Sequence, residues 1–127
     1  MRLGDFSRII ETTFVDKMSI TRYEDKENAD GSTDTVLPDA PLHEEVPCRI
    51  SFPFDESPKD SDADTVPVKN VCKIFCKRDT DIRAGDFVTV QRFDDDGNVI
   101  ATYSGKAGLS SVFITHKEAL FSIERSA

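Results

Sequence analysis

VCKIFCKRDTDIRAGDFVTVQRFDDDGNVIATYS, residues 71–104, fixes the class of fold. Cys72, Ile74 and Cys76 fall on one side of a period-two pattern, with Lys73, Phe75 and Lys77 on the other, as a strand with one buried face requires. FVTVQRF (87–93) repeats the alternation, and the intervening RDTDIRAGD carries Gly85 as a turn residue. Asp96-Gly97 separates FVTVQRF from NVIATYS. Asp-Gly tolerates the positive φ angles of tight hairpin turns, so the two flanking runs are expected to pair antiparallel.

Downstream, SGKAGLS reads as a glycine-containing loop leading to a short VFIT strand. In the last run, EALFSIER, Ala119, Phe121 and Ile123 alternate. Upstream, Val46, Cys48, Ile50 and Phe52 share one face of a strand, and Pro47 implies that this strand starts there or lies at an edge. MSITRYE (18–24) alternates as a half-buried strand. Leu3, Phe6, Ile9, Ile10 and Phe14 recur at helical spacing, which predicts a short amphipathic helix over about 2–14. Its apolar stripe must cover either the domain's own sheet or a neighbouring subunit.

Two polar stretches interrupt these elements. DKENADGSTDTVLPDAP (about 25–42) reads as a long loop or a loosely held β-hairpin extension, and about 53–68 as a second loop bracketed by Pro53, Pro58 and Pro67. Loops of this length are uncommon in small domains unless they have a function. Ordering them against another protein chain would suit an assembly protein better than a solitary enzyme. The expected architecture is mainly β: one domain over residues 1–127, an antiparallel β-barrel or sandwich of about six strands with a short N-terminal helix and two long loops.

Composition narrows the function. The 127 residues carry a net charge of −8 and no Trp, and the pI is near 4.7. Such a field disfavours tight, non-specific nucleic-acid binding, although an acidic wall lets a polyanion slide past. The start MRLGDFSRII is broken by Asp5 and Arg8 before any signal-length apolar run forms, and no stretch approaches the roughly 20 apolar residues of a membrane span. Cys48, Cys72 and Cys76 are an odd number of cysteines, expected as reduced core thiols made in a cytosol.

No pattern of catalytic or metal chemistry emerges. Along a strand, Cys72 and Cys76 would stand roughly 13 Å apart, too far to share a zinc ion. His43 and His116 lack the neighbours of a triad and read as surface polar groups. Asp60, Asp62 and Asp64 alternate like calcium ligands, but Thr65 and Val71 occupy positions where that loop needs Gly and Glu. Asp94-Asp95-Asp96-Gly97 has the Gly without the alternation. Gly105-Lys-Ala-Gly108 lacks the spacing of a phosphate-binding loop. The chain is expected to be no enzyme and to need no cofactor.

Val71–Arg125 resembles head–tail joining (head-closure, or stopper) proteins of tailed bacteriophages, in which a strand, a D-I-x-x-G-D turn, a V-x-V strand and a late hairpin follow one another. Asp81-Ile-Arg-Ala-Gly85-Asp86 carries the likeness. The resemblance implies a small barrel in a homo-oligomeric ring of the virion neck, made in the host bacterial cytoplasm. Its partners would be a portal or adaptor protein above, a tail tube or tail terminator protein below, and DNA passing without specific binding; no membrane is involved. It makes the acidic segment with Asp55, Glu56, Asp60, Asp62 and Asp64 a candidate channel loop, and Phe6, Ile9, Ile10 and Phe14 a candidate assembly interface. The alternatives are a tail-completion, terminator or baseplate protein of the same virion, and a small cytoplasmic barrel binding a peptide or oligonucleotide. The acidic balance weighs against an oligonucleotide, whose grooves are normally basic and aromatic.

Overall fold

The structure, a computed structural model, describes residues 3–52 and 71–126. It consists of α1 (Leu3–Glu11), β1 (Asp16–Thr21), β2 (Glu24–Glu27), β3 (Thr33–Val36), β4 (His43–Ser51), β5 (Val71–Cys76), β6 (Phe87–Phe93), β7 (Val99–Val112) and β8 (Lys117–Ser126). Six strands close into a barrel in the order β1-β4-β5-β8-β7-β6, with β2 and β3 forming a separate two-stranded sheet. Every pairing is antiparallel. The mainly β class, the short helix and the strand number expected from the alternation are those of the fold.

The inward positions are the ones the period-two pattern selects. Met18 and Ile20, Cys48 and Ile50, Cys72, Ile74 and Cys76, Val88 and Val90, and Ala119 and Phe121 are buried in one cluster. Phe121 is the largest of the fully buried side chains, in keeping with a thin interior that contains no Trp. Ile82 closes the cluster from the β5–β6 connection.

Asp94–Asn98 forms the hairpin turn expected at Asp-Gly, with Gly97 at φ 86°. Asp94 Oδ1 accepts hydrogen bonds from the Asp96 and Asn98 amides, so it organises the turn. Pro47 lies within β4, beside residues that pair with β1 alone, since β5 joins β4 only from Cys48 onward. It therefore occupies a locally one-sided edge.

Four expectations need correction. SGKAGLS is not a loop: β7 runs straight through it. The glycines are there for close approach, because a Cβ on Gly105 would overlap the Ser122 carbonyl oxygen and one on Gly108 would stand 3.2 Å from the Leu120 Cβ. VFIT is not a strand, since Phe113–His116 turns the β7–β8 hairpin, closed by the Phe113 amide donating to the His116 carbonyl at 2.7 Å. The helix is shorter than 2–14, because α1 gives way to turns that carry Thr13 and Phe14 amides back to Ile10 and Glu11 carbonyls. The strand read over 18–24 is Asp16–Thr21 instead. Of the two forms open for 25–42, the hairpin extension is the one adopted, as β2–β3.

Candidate assembly surfaces

Antiparallel closure sorts the connections onto two ends of the barrel. At one end α1 enters β1, Asp94–Asn98 joins β6 to β7, and Ser51 and Val71 mark where residues 53–70 leave and return. At the other end stand the β2–β3 arm, the β5–β6 connection and the β7–β8 turn. Asp55, Glu56, Asp60, Asp62 and Asp64, and with them the calcium-like alternation, lie outside the described residues. Their segment is nevertheless tethered at the same barrel end as α1.

No described strand packs along α1. Phe6 and Ile9 are 45% and 52% exposed, while Ile10 and Phe14 are half-buried. The stripe predicted from spacing therefore exists but is not spent on the barrel's own wall. Hydrogen bonds from the Thr13, Phe14 and Val15 amides to Ile10, Glu11 and Thr13 carbonyls make the connection to β1 an ordered turn.

That connection is anchored by a buried ion pair. Asp16, the first residue of β1, is fully buried; its carboxylate accepts from Arg92 Nε at 3.2 Å and from the Ile50 amide at 2.9 Å. Arg92 also donates to the Ile50 carbonyl at 3.0 Å and lies over the Phe52 ring. Phe52, next to residues 53–70, is held edge-on by Tyr103 at 5.3 Å. The roots of α1 and of residues 53–70 thus share Arg92 as a common anchor.

A second network holds the opposite end. Arg22 donates to Asp86 through Nε and a terminal nitrogen, both at 2.9 Å, and to Asp81 at 3.2 and 3.3 Å. His43 Nε2 contacts Asp81 at 3.0 Å, and the Arg83 amide donates to Asp86 at 2.8 Å. Gly85, at φ 94°, donates to the Ala107 carbonyl, and the Ala107 amide returns a bond to Asp86. Both carboxylates of the D-I-x-x-G-D turn therefore serve one guanidinium at the root of the β2–β3 arm. Hydrogen bonds from His43 and Arg22 hold the Asp81 carboxyl far below the usual carboxylate range, and Asp86 and Asp81 push the Arg22 guanidinium still higher.

The outer wall of β4, β5 and β8 carries a groove of about 530 Å³ lined by Phe52, Val71, Lys73, Phe75 and Leu120, among others. From Phe75 an aromatic stack continues through His116 to Phe113, with centroids 5.7 and 4.9 Å apart. It ends at an apolar hairpin tip where Val112 and Ile114 are 57% and 64% exposed. Arg49 lies over the Phe75 ring at 4.6 Å, and among the described residues no carboxylate pairs with it. Burial would raise the Glu118 carboxyl, but bonds from His116 and Lys73 outweigh it and lower it.

The sequence reading missed these histidine partners. His43 and His116 meet Asp81 and Glu118 respectively, brought together by strand register. His116 also meets the Thr115 hydroxyl through Nδ1 at 3.0 Å, and both histidines are links in surface networks. Cys48, Cys72 and Cys76 are buried free thiols, and burial pushes the Cys72 thiol up to about 11 and the other two upward as well. Among the described residues no group of three His, Cys, Asp or Glu side chains could hold a metal ion. No described helix is long and apolar enough to cross a membrane.

No protein-family model matches the sequence, and no curated protein matches it either. One solved structure shares the fold: the phage-like element PBSX protein xkdH from Bacillus subtilis, at TM-score 0.50 and 15% identity, with 85% of this chain and 92% of that chain covered. At that identity the likeness concerns the fold alone.

Proposed function

We propose that this chain is a structural, non-catalytic virion protein of a tailed phage that forms part of the head–tail connector. It acts as a homo-oligomeric head-closure ring beneath the portal or adaptor and above the tail tube or terminator. The observation that carries this is that α1 and both roots of the acidic segment 53–70 stand at one barrel end. There an amphipathic helix leaves Phe6 and Ile9 exposed, beside the roots of the acidic segment 53–70. A solitary enzyme gains nothing from such an arrangement, whereas a ring subunit needs one surface for its neighbour and one for its channel. The likeness of fold to xkdH, a protein of the phage-like element PBSX, is in keeping with it.

In this role Asp55, Glu56, Asp60, Asp62 and Asp64 line or close the channel. Their charge opposes adhesion of phosphates, so DNA passes without being bound. The helix face of Phe6, Ile9, Ile10 and Phe14 contacts an adjoining subunit or ring.

The test is to label the chain in assembled particles and to locate it by electron microscopy, alongside the triple substitution Asp60→Ala, Asp62→Ala, Asp64→Ala. Label at the neck, with folded variant particles that retain DNA abnormally, is the expected result. Label at the baseplate would move the protein to a tail role. Absence from purified particles would end the virion assignment.

A further inference from the structure

We propose that the groove on the outer wall of β4, β5 and β8 is the socket for helix α1 of a neighbouring copy, so that one contact repeated head to tail builds the oligomer. This deepens the assembly role proposed above and rests on it.

Among the described residues each surface is without a partner in the same molecule. On the helix, Phe6 and Ile9 are exposed; on the wall, Leu120 is 41% exposed despite sitting in the middle of β8, between two paired strands. The turn from Ile10 to Val15 is hydrogen-bonded, and no described strand packs along the helix that it follows.

Dimensions agree. The nine residues of α1 span about 13 Å at 1.5 Å per residue, and Val71 to Phe75 along the groove also span about 13 Å at 3.3 Å per residue. A groove of about 530 Å³ is large enough to take aromatic and branched side chains from such a helix.

Charge agrees as well. At 100° per residue Glu11 lies towards the Ile10 margin of the stripe, while Arg8 lies on the opposite side of the helix. Beside the groove stands Arg49, over the Phe75 ring and paired with no described carboxylate, whereas Lys73 already meets Glu118 at 3.4 Å. In a chain of net charge −8, that one unmatched cation beside an apolar groove favours an occupant with an acidic edge.

The contact is heterologous, because helix and socket are different surfaces, and a heterologous contact propagates until rotation closes it. A helix of this size buries on the order of 500 Å² per partner, below the roughly 1,200 Å² total of a stable isolated pair. Single contacts are therefore weak, and association depends steeply on concentration.

Sedimentation equilibrium of the full chain, from about 10 μM to about 1 mM, tests this with two variants, Ile9→Asp on the helix and Leu120→Asp in the groove. Both sites are exposed, so circular dichroism is expected to show native folding in each. Wild type is expected to rise above the 14.2 kDa monomer with concentration, while each variant alone stays monomeric. An equimolar mixture of the two variants is expected to form dimers and stop there, since Leu120→Asp copies keep a sound helix and Ile9→Asp copies a sound groove. A wild type that stays monomeric throughout, single variants that assemble like wild type, or a mixture that does not associate would each overturn the proposal. If the mixture dimerises but the chain is missing from particles, the contact stands and the virion assignment falls.

Discussion

Arg22 is where three separate stretches of chain converge: its guanidinium joins the end of β1 to Asp81 and Asp86, and through Asp81 to His43. The Asp86 side chain is 3% exposed, so Arg22→Met would leave a buried carboxylate without its cation. That change is expected to cost about 2–3 kcal/mol by urea denaturation, reduced from the fully buried case because Arg22 is partly solvated. Asp81 is far more exposed, and Asp81→Asn is expected to cost at most about 1 kcal/mol. Asp81 is held below the ordinary carboxylate range when folded, so its contribution is present above that range and lost as pH falls through the depressed value. The gap between wild type and Asp81→Asn should therefore narrow in strong acid, and a gap that widens there would refute the assignment. The sequence displayed the D-I-x-x-G-D turn but not its use, because Arg22 lies 59 positions before Asp81 and nothing local marks it as a partner. Asp16 and Arg92, 76 positions apart, were hidden for the same reason.

Among elements, the alternating runs were legible because each buries one face, and the Asp-Gly turn was legible because its backbone demands it. β7 was not. Gly105 and Gly108 carry the composition of a loop, yet they are placed where β8 comes too close for a side chain. Gly105→Ala would drive a Cβ into the Ser122 backbone and is expected to cost more than about 3 kcal/mol or to prevent folding, as measured by thermal melting. Gly108→Ala comes no nearer than 3.2 Å, to the Leu120 Cβ, and is expected to be milder. Equal tolerance at both positions would show that β7 and β8 are further apart than described. For β2 and β3 the sequence left a loop and a hairpin extension both open, because each strand has four residues and mostly exposed positions, too few and too polar to show a period. The amphipathic helix was visible from its spacing; whether its stripe met the chain's own wall was not, since that depends on how the turn after Glu11 aims it.

At the scale of the molecule, the core found among the described residues belongs to the six closed strands and Ile82. A chain beginning at Thr12 is accordingly expected to keep a melting temperature within a few degrees of the full chain, while losing its association. A large drop in melting temperature would place α1 in the core after all. Which projections share an end could not be read from the sequence, because it follows from how the strands are ordered around the barrel rather than from any one strand. The closed hoop has a further consequence for solubility. Among the described residues, strand backbone paired on one side only includes the small β2–β3 sheet, the first half of β4 and both ends of β7. The β2–β3 sheet bristles with Glu24, Asp25, Glu27 and Asp34, and the first half of β4 is interrupted by Pro47 and by Glu45 at φ 52°. Like charge on the one and a broken backbone on the other blunt these two edges against strand-to-strand aggregation when copies are crowded together.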